Sequence, residues 1–489
     1  MPFLPYSQNQ SYLFPPYLTD WIAEDHPARI FSDLIDRLDI AGFQEAEVEG
    51  RPRYDTRMML KVLLWAYANG IRASRKIEDR LHSDVVFMWL SGRQTPDFHT
   101  ICDFRRCHEA AIDRLFAEVI VLARALGMIR LGLIALDGTK IRASAGVGSF
   151  KTVKEWHKAL REARQKVAEI LAEAEAQDQA DDRKYGPDHS GNELPEELMN
   201  AKERVARIEQ ILTQAGENAK ESLRISSTDS QARFMHSQNG AIPAFNGQLA
   251  VTEDQMIVHA GVTAEPIDTN QLVPTLEGVK ANTGAYPGAA LADAGFDSGR
   301  NLHELEARQI DGYIPDGAEE NIGKDLRNYP DLYGKNDFRY DTEHDCYWCP
   351  AGQALKRKTI QRSKSRYSER EAAVFKTQPG VCLNCPLRKK CTKVTTRTGR
   401  TITRGAYEAE RERMKQKLDT EEGKAVYGKR KWLVEPTIGQ LKVVGRLVQF
   451  LLRGLKGANL EFKWSAIAHN LLKLTRRVQA GDVEPAWAG

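Results

Sequence analysis

The sequence is short of cysteine, of net charge and of long apolar runs. Its 70 Lys and Arg nearly cancel its 67 Asp and Glu, leaving +3 over 489 residues. A chain this balanced does not work by bulk charge, as a polybasic tail does. No stretch approaches the ~20 consecutive apolar residues that span a bilayer, which excludes a helical membrane protein. The opening "MPFLPYSQNQSYLFPPYL" lacks the basic stretch and apolar core of a secretory signal, so a cytoplasmic location is expected. In that reducing compartment, seven cysteines argue against a disulfide framework. What remains is a folded composition, 42% hydrophobic, long enough for about three domains.

Both the scarce residues and the charges are unevenly placed. Pro386 to Ala406 holds seven Lys or Arg and no acid, and Leu355 to Arg370 holds another seven against one Glu. Basic density of this kind suits a polyanion, and nucleic acid is the commonest in the cytoplasm; a solvated loop accounts for any single stretch equally well. Five of the seven cysteines lie between Cys346 and Cys391. The pairs Cys346/Cys349 and Cys382/Cys385 can supply the four thiolates of a structural zinc site, leaving Cys391 surplus. Reduced thiols packed in a knuckle, or an iron–sulfur cluster, remain alternatives. Cys102 and Cys107 fall in a helical pattern and read as buried thiols.

Periodicity divides the chain. Residues 1–130 read as almost all helix. "YDTRMMLKVLLWAYANG" has Asp55 as N-cap and a stop at Gly70. A longer stripe runs through Ile101, Phe104, His108, Ala111 and Leu115, with His108 semi-buried. Short helices meeting at Gly70, with Arg72, Arg75, Lys76 and Arg80 just beyond, are compatible with a DNA-binding helix-turn-helix. Over 150–223, Trp156, Leu160, Ala163, Val167 and Ile170 face Leu198, Ala201, Val205, Ile208, Leu212 and Ala215 across a turn-rich stretch, predicting an antiparallel coiled-coil insertion. From Ala241 the order strand, hairpin, helix, strand, helix, strand predicts a mixed α/β sheet.

Two short apolar strands of that sheet are expected to end on acids, Asp137 in "LGLIALDGTKIRA" and Asp293 in "GAALADAGFDSG". Sites collect where strands of an open sheet end. A later helix, "KRKWLVEPTIGQLKVVGRL", puts Lys431, Glu435 and Lys442 on one face. Two aspartates and a glutamate form an all-oxygen set suited to Mg²⁺ or Mn²⁺, with basic neighbours for a phosphate backbone. Asp-Gly turn chemistry and a solvated ion-pair ladder are the plain alternatives. Asp229 is a further candidate ligand, whereas Asp254 and Asp297 fit turns or caps.

In order, "LFPPYLTDWIAEDHPARIF", "RYDTRMMLKVLLWAYANGIRASRKIEDR", "PDFHTICDFRR", "LDGTKI", "FNGQLAVTED", "LADAGFDS", the paired cysteines, "VEPTIGQLK" and "AHNLLKL" resemble a bacterial insertion-sequence DDE transposase with an InsH-type N-terminal domain. The resemblance implies a ribonuclease-H-like catalytic domain over 131–485, interrupted by the insertions 150–223 and 316–425. It implies Asp137, Asp293 and Glu435 as catalytic, Mg²⁺-binding acids. It further implies that helices 1–130 bind inverted-repeat DNA ends, that freed 3′ ends pass into target DNA, and that the protein acts as a homodimer or multimer on DNA. A Tyr-x₂-Arg-x₃-Glu-x₆-Lys signature found in many relatives is only half present. Gly428 and Lys431 stand at the Tyr and Arg positions, with Tyr427 and Arg430 each displaced by one, so Lys431 is expected to meet phosphate as a point charge. A domesticated, non-catalytic DNA-binding descendant and a metal nuclease of the same fold are the rival functions.

Overall fold

The computed structural model describes residues 17–43, 53–185, 196–216, 219–237, 240–317, 332–364, 369–392 and 399–482. The chain is mixed α/β. The strands of its first part are β1 (Leu133–Arg142), β2 (Phe150–Thr152), β3 (Arg224–Ser226), β4 (Arg233–Ser237), β5 (Gly240–Thr252), β6 (Ile257–Thr263), β7 (Ala289–Leu291) and β8 (Asp311–Tyr313). The central sheet runs β4-β5-β1-β7-β8, with β6 also paired to β5. β1 is antiparallel to β5 over nine register pairs, Ile134↔Thr252 to Arg142↔Ala244. β1, β7 and β8 are mutually parallel. Parallel strands need a covered sheet, which accounts for the unbroken burial of Leu133 to Leu136.

The N-terminal helices form as the sequence predicts at most points. Asp55 Oδ1 accepts from the Met58 amide and caps Thr56–Ala68. Gly70 then turns the chain at φ +70°, with Ser74–Ser83 following. A side chain at Gly70 would meet the Val444 carbonyl, so only glycine satisfies both the turn and the packing. The long stripe does not stay one helix. It breaks at His108 (φ −109°, ψ 46°) into Phe98–Cys107 and Glu109–Ala125, and the imidazole sits 4.8 Å from Phe104 and 5.3 Å from Phe43. Cys107, expected inside, is exposed.

These helices share one hydrophobic core with the sheet, and the closing helix Gly454–Gln479 joins them. Trp464 is fully buried and donates to the Arg105 carbonyl. Arg72, in turn, meets Glu461 at 2.6 Å with both side chains inside. Asn470 pairs both polar atoms of its amide with the Ile257 backbone, tying the helix to β6. Among the described residues, no helix is long and apolar enough to cross a membrane.

Two units project from this body. Val153–Tyr185 and Glu196–Ala215 pack through Trp156, Ala163, Ile208 and Ile211, with Arg164 bonded to Glu209. Their base is the β2–β3 ladder, where Trp156 Nε1 donates to the Ile225 carbonyl. The connecting residues 186–195 lie outside the described residues. The second unit is a five-stranded antiparallel sheet, unforeseen in the sequence: β9 (Arg339–Asp341), β10 (Cys346–Trp348), β11 (Ala354–Lys364), β12 (Glu369–Lys376) and β13 (Ile402–Gly405), in the order β13-β12-β11-β10-β9. Its core is Phe338, Tyr347, Leu355, Phe375 and Ile402.

Candidate active site

Strand register brings the two aspartates level. β1 and β7 pair from Leu133↔Ala289 to Ala135↔Leu291, so the same stagger places Asp137 beside Asp293. Here the structure corrects the expectation for Asp137. β1 does not end there but continues five residues to Arg142, held by β5. What ends is its pairing with β7, and the crevice opens between two parallel strands that part company. Asp293 follows β7 as N-cap of the turn Ala294–Phe296, its Oδ1 accepting from the Gly295 amide at 2.9 Å. Asp137 Oδ1 accepts from the Gly138 amide at 2.8 Å.

A guanidinium bridges the acids. Arg430 Nη2 stands 2.9 Å from Asp137 Oδ2 and 3.7 Å from Asp293 Oδ2. Burial raises the Asp137 carboxyl from the ordinary 3.8 to about 6; Arg430 opposes that rise and Asp293 adds to it. Asp293 is also raised, by burial first, with Arg430 opposing and Asp268 contributing. Burial therefore raises both acids, and the Arg430 guanidinium opposes that rise at each.

Arg430 opens the helix Arg430–Val443, which carries Glu435 and Lys442 over β1 and β5. Lys442 is half-buried; burial pulls its ammonium down and Asp137 pulls it back up. Lys431 and Glu435 are exposed. Glu435 makes no hydrogen bond or ion pair among the described residues, and no three His, Cys, Asp or Glu side chains there stand in position to hold a metal ion. The structure thus unites Asp137, Asp293, Arg430 and Lys442, and sets Glu435 on the same helix without closing it onto the aspartates.

The sequence did not point to Asp268. Its Oδ1 accepts from Asn246 Nδ2 at 2.7 Å and from Gln248 Nε2 at 2.6 Å, and Lys140 Nζ lies 3.3 Å away. Gly138 faces Gln248 and Lys140 faces Asn246 across the ladder, so this group is built on the residues of β1 that alternate with Asp137, and the Asp268 charge still acts on both Asp137 and Asp293. A side chain at Gly138 would collide with the Asp268 carboxylate. Thr269 ties the Asp268 loop to the Asp293 turn by donating to the Gly295 carbonyl at 3.0 Å. Nothing periodic marks Asp268; it follows β6 in a loop, and only tertiary closure brings it in.

Other expected residues take structural posts. Arg72, expected to contact DNA, is buried and bonds Glu461, the Arg446 carbonyl and the Gln449 carbonyl. Arg75 and Lys76 are exposed, Arg75 lying 4.7 Å from the Phe98 ring centre. Asp229 is buried and accepts from the Gly454 amide at the start of the closing helix. Asp254 ion-pairs Arg477, and Asp297 ion-pairs Arg411 at 2.9 Å.

Comparison with known proteins finds two family models. A transposase domain (DUF772) matches residues 16–107. A transposase DDE domain matches residues 348–475, which includes Glu435 but neither aspartate. No curated protein and no solved structure matches the chain. An N-terminal transposase domain followed by a transposase DDE domain in one polypeptide supports an insertion-sequence DDE transposase.

Proposed function

We propose that this transposase binds the inverted-repeat ends of its element, cuts them by divalent-metal-dependent hydrolysis and joins the freed 3′ ends to target DNA. Asp137, Asp293 and Glu435 serve as its metal-holding acids. The observation that carries this reading is the grip of Asp137 and Asp293 on a single cationic group, Arg430. The fit to Mg²⁺ or Mn²⁺ rests on donor chemistry. The set is oxygen only, and both aspartates are raised by burial and crowding, so they gain from a cation. Such ions, when bound, activate the attacking water or 3′-hydroxyl and stabilise the leaving oxygen.

The chain's own residues have distinct parts. Asp137 and Asp293 are fixed by strand register and by their own amide hydrogen bonds, so they are preorganised. Glu435 reaches them from the covering helix by a side-chain or helix adjustment. Arg430, released from the acids, offers its planar fork to a phosphate. Lys442 lies within reach of Asp137 and neutralises backbone charge beside it, and Lys431 does so at the exposed end of the same face.

The sheet order supports a ribonuclease-H-like catalytic domain over 131–485. Three antiparallel strands (β6, β5, β1) are followed by parallel β7 and β8, with the acids where parallel pairing gives out. On this reading the helical hairpin over 150–223 and the cysteine-bearing sheet over 316–425 are insertions, and helices 1–130 hold DNA ends through Arg75 and Lys76. Cleavage of paired ends calls for at least a dimer on DNA.

The test uses purified full-length protein, a labelled terminal-repeat duplex taken from the DNA flanking its gene, a target plasmid and Mg²⁺. Nicked and joined products are expected. Asp137→Ala, Asp293→Ala and Glu435→Ala should each abolish both while leaving end binding largely intact. Binding with no product in Mg²⁺ or Mn²⁺ would sink the catalytic reading, and nicking without joining would reduce it to a nuclease.

A further inference from the structure

The cysteine-bearing sheet holds a second cluster of reactive groups that transposition does not use. Cys-x-x-Cys pairs chelate when both thiols leave a turn on one side. Cys346 and Cys349 cannot do this, because Cys346 to Trp348 is strand β10. Side chains alternate along a strand, so positions three apart point to opposite faces. Cys346 lies opposite Asp341 and Lys356 in the ladder. Tyr347 points the other way, into the core that Cys349 and Cys391 pack against.

Cys349, Cys382, Cys385 and Cys391 instead line one cavity of about 30 Å³, a space on the scale of a single ion or water. The four come from three segments. Cys349 opens a tight turn in which the Gly352 amide donates to its carbonyl at 2.8 Å and the Gln353 amide donates to its Sγ at 3.3 Å. Cys382 and Cys385 sit in consecutive turns, with Thr377 Oγ1 3.3 Å from Cys382 Sγ. Cys391 ends the short helix Arg388–Cys391. Arg388 and Arg400 border the same cavity; Arg388 donates to the Cys382 carbonyl at 2.6 Å and Arg400 to the Cys391 carbonyl at 3.3 Å. Burial and the three neighbouring cysteines raise the Cys391 thiol, with Arg400 opposing, so the four sulfurs crowd one small space.

We propose that Cys349, Cys382, Cys385 and Cys391 bind one structural zinc ion as a tetrathiolate, with Cys346 a buried thiol outside the site. The sulfurs are not at ligand spacing as they stand, so binding the ion requires the four side chains to close on it. Binding releases the thiol protons to solvent and changes no oxidation state. A tetrahedral set of four thiolates selects zinc among the divalent ions at hand. The ion would lock the Cys349 turn, the 382–385 turns and the 388–391 helix onto a sheet whose buried core, among the described residues, is five large side chains, a size at which a metal commonly supplies missing stability.

The experiment uses full-length protein purified without chelator or a metal-binding tag. Elemental analysis should find about one zinc per chain, lost in Cys391→Ser and kept in Cys346→Ser. Wild-type protein is then alkylated before and after chelation and mapped by mass spectrometry, which needs no variant to fold. Cys349, Cys382, Cys385 and Cys391 should become labelled only after zinc removal, with Cys346 unchanged in its response. No bound metal, iron in place of zinc, or chelator-dependent labelling of Cys346 instead of Cys391 would each overturn the assignment. None of these readouts depends on transposition.

Discussion

Asp137 should destabilise the protein it serves. Its carboxyl rises from 3.8 to about 6 in the fold, so the native state holds the proton more tightly than the unfolded chain does. Each pH unit of difference is worth about 1.4 kcal/mol, so at pH 8 ionised Asp137 costs ~3 kcal/mol. The sign follows from the raised value. The penalty is fully present above pH 6, shrinks as pH falls through 6 toward 3.8, and is about 0.5 kcal/mol by pH 4. Asp137→Asn removes the charge and keeps the shape, so it should raise the urea midpoint of metal-free protein at pH 8. The gain approaches ~3 kcal/mol, because the attraction to Arg430 at 2.9 Å is already contained in the net rise. At pH 4 wild type and variant should nearly coincide. Mg²⁺ at a hundredfold excess over its Kd should stabilise wild type by ~2.7 kcal/mol and the variant much less. A variant less stable than wild type at pH 8, or equally stabilised at both pH values, would refute the picture of a carboxylate held in a costly state for a cation.

Glu461→Ala should cost about 3–5 kcal/mol, because it strands the Arg72 guanidinium and leaves the Leu451 and Leu452 amides without their acceptor. The double change Arg72→Met/Glu461→Gln should recover part of that loss in denaturant melts; additive losses would mean the two are not coupled. Asp268→Asn removes the charge that pairs with Lys140 and leaves a single amide oxygen to accept from Asn246 and Gln248, so cleavage should drop about 10–100-fold with end binding unchanged. Unaltered cleavage would place Asp268 outside the working site.

How much of this could be read along the chain depends on how local the cause is. Asp55 and Gly70 act within a turn of themselves, and both were legible. The β5–β6 hairpin and β7 announced themselves through alternation and apolar runs. β11 did not, because "ALKRKTIQRSK" alternates one polar residue with another and reads as a basic loop. Arg72 looked like a DNA contact beside a helical turn, yet its partner lies 389 residues away. Asp268 failed for the same reason: its holders Asn246 and Gln248 belong to a strand whose sequence reads as ordinary hairpin. For the Cys346 pair, spacing alone is ambiguous, since two intervening residues place thiols together in a turn and apart in a strand, and Cys346 lies in a strand.

The displaced arginine shows why a motif should be judged on its helix rather than its count. One residue of shift rotates a side chain about 100° around the axis, which moves Arg430 off the face shared by Lys431, Glu435 and Lys442. A lysine at position 430 could not use that angle well, being a point charge on a flexible stem. Arginine presents several donors in a plane, and Nη2 alone lies near an oxygen of each aspartate. The neighbouring Lys431 stays exposed. Position 430 is also the first of its helix, where the backbone is least constrained and a modest change of entry angle swings the side chain furthest. On the proposed function, the same position would let Arg430 leave the acids for a phosphate. Arg430→Lys should on that account bind DNA ends nearly as well as wild type but cleave them more slowly.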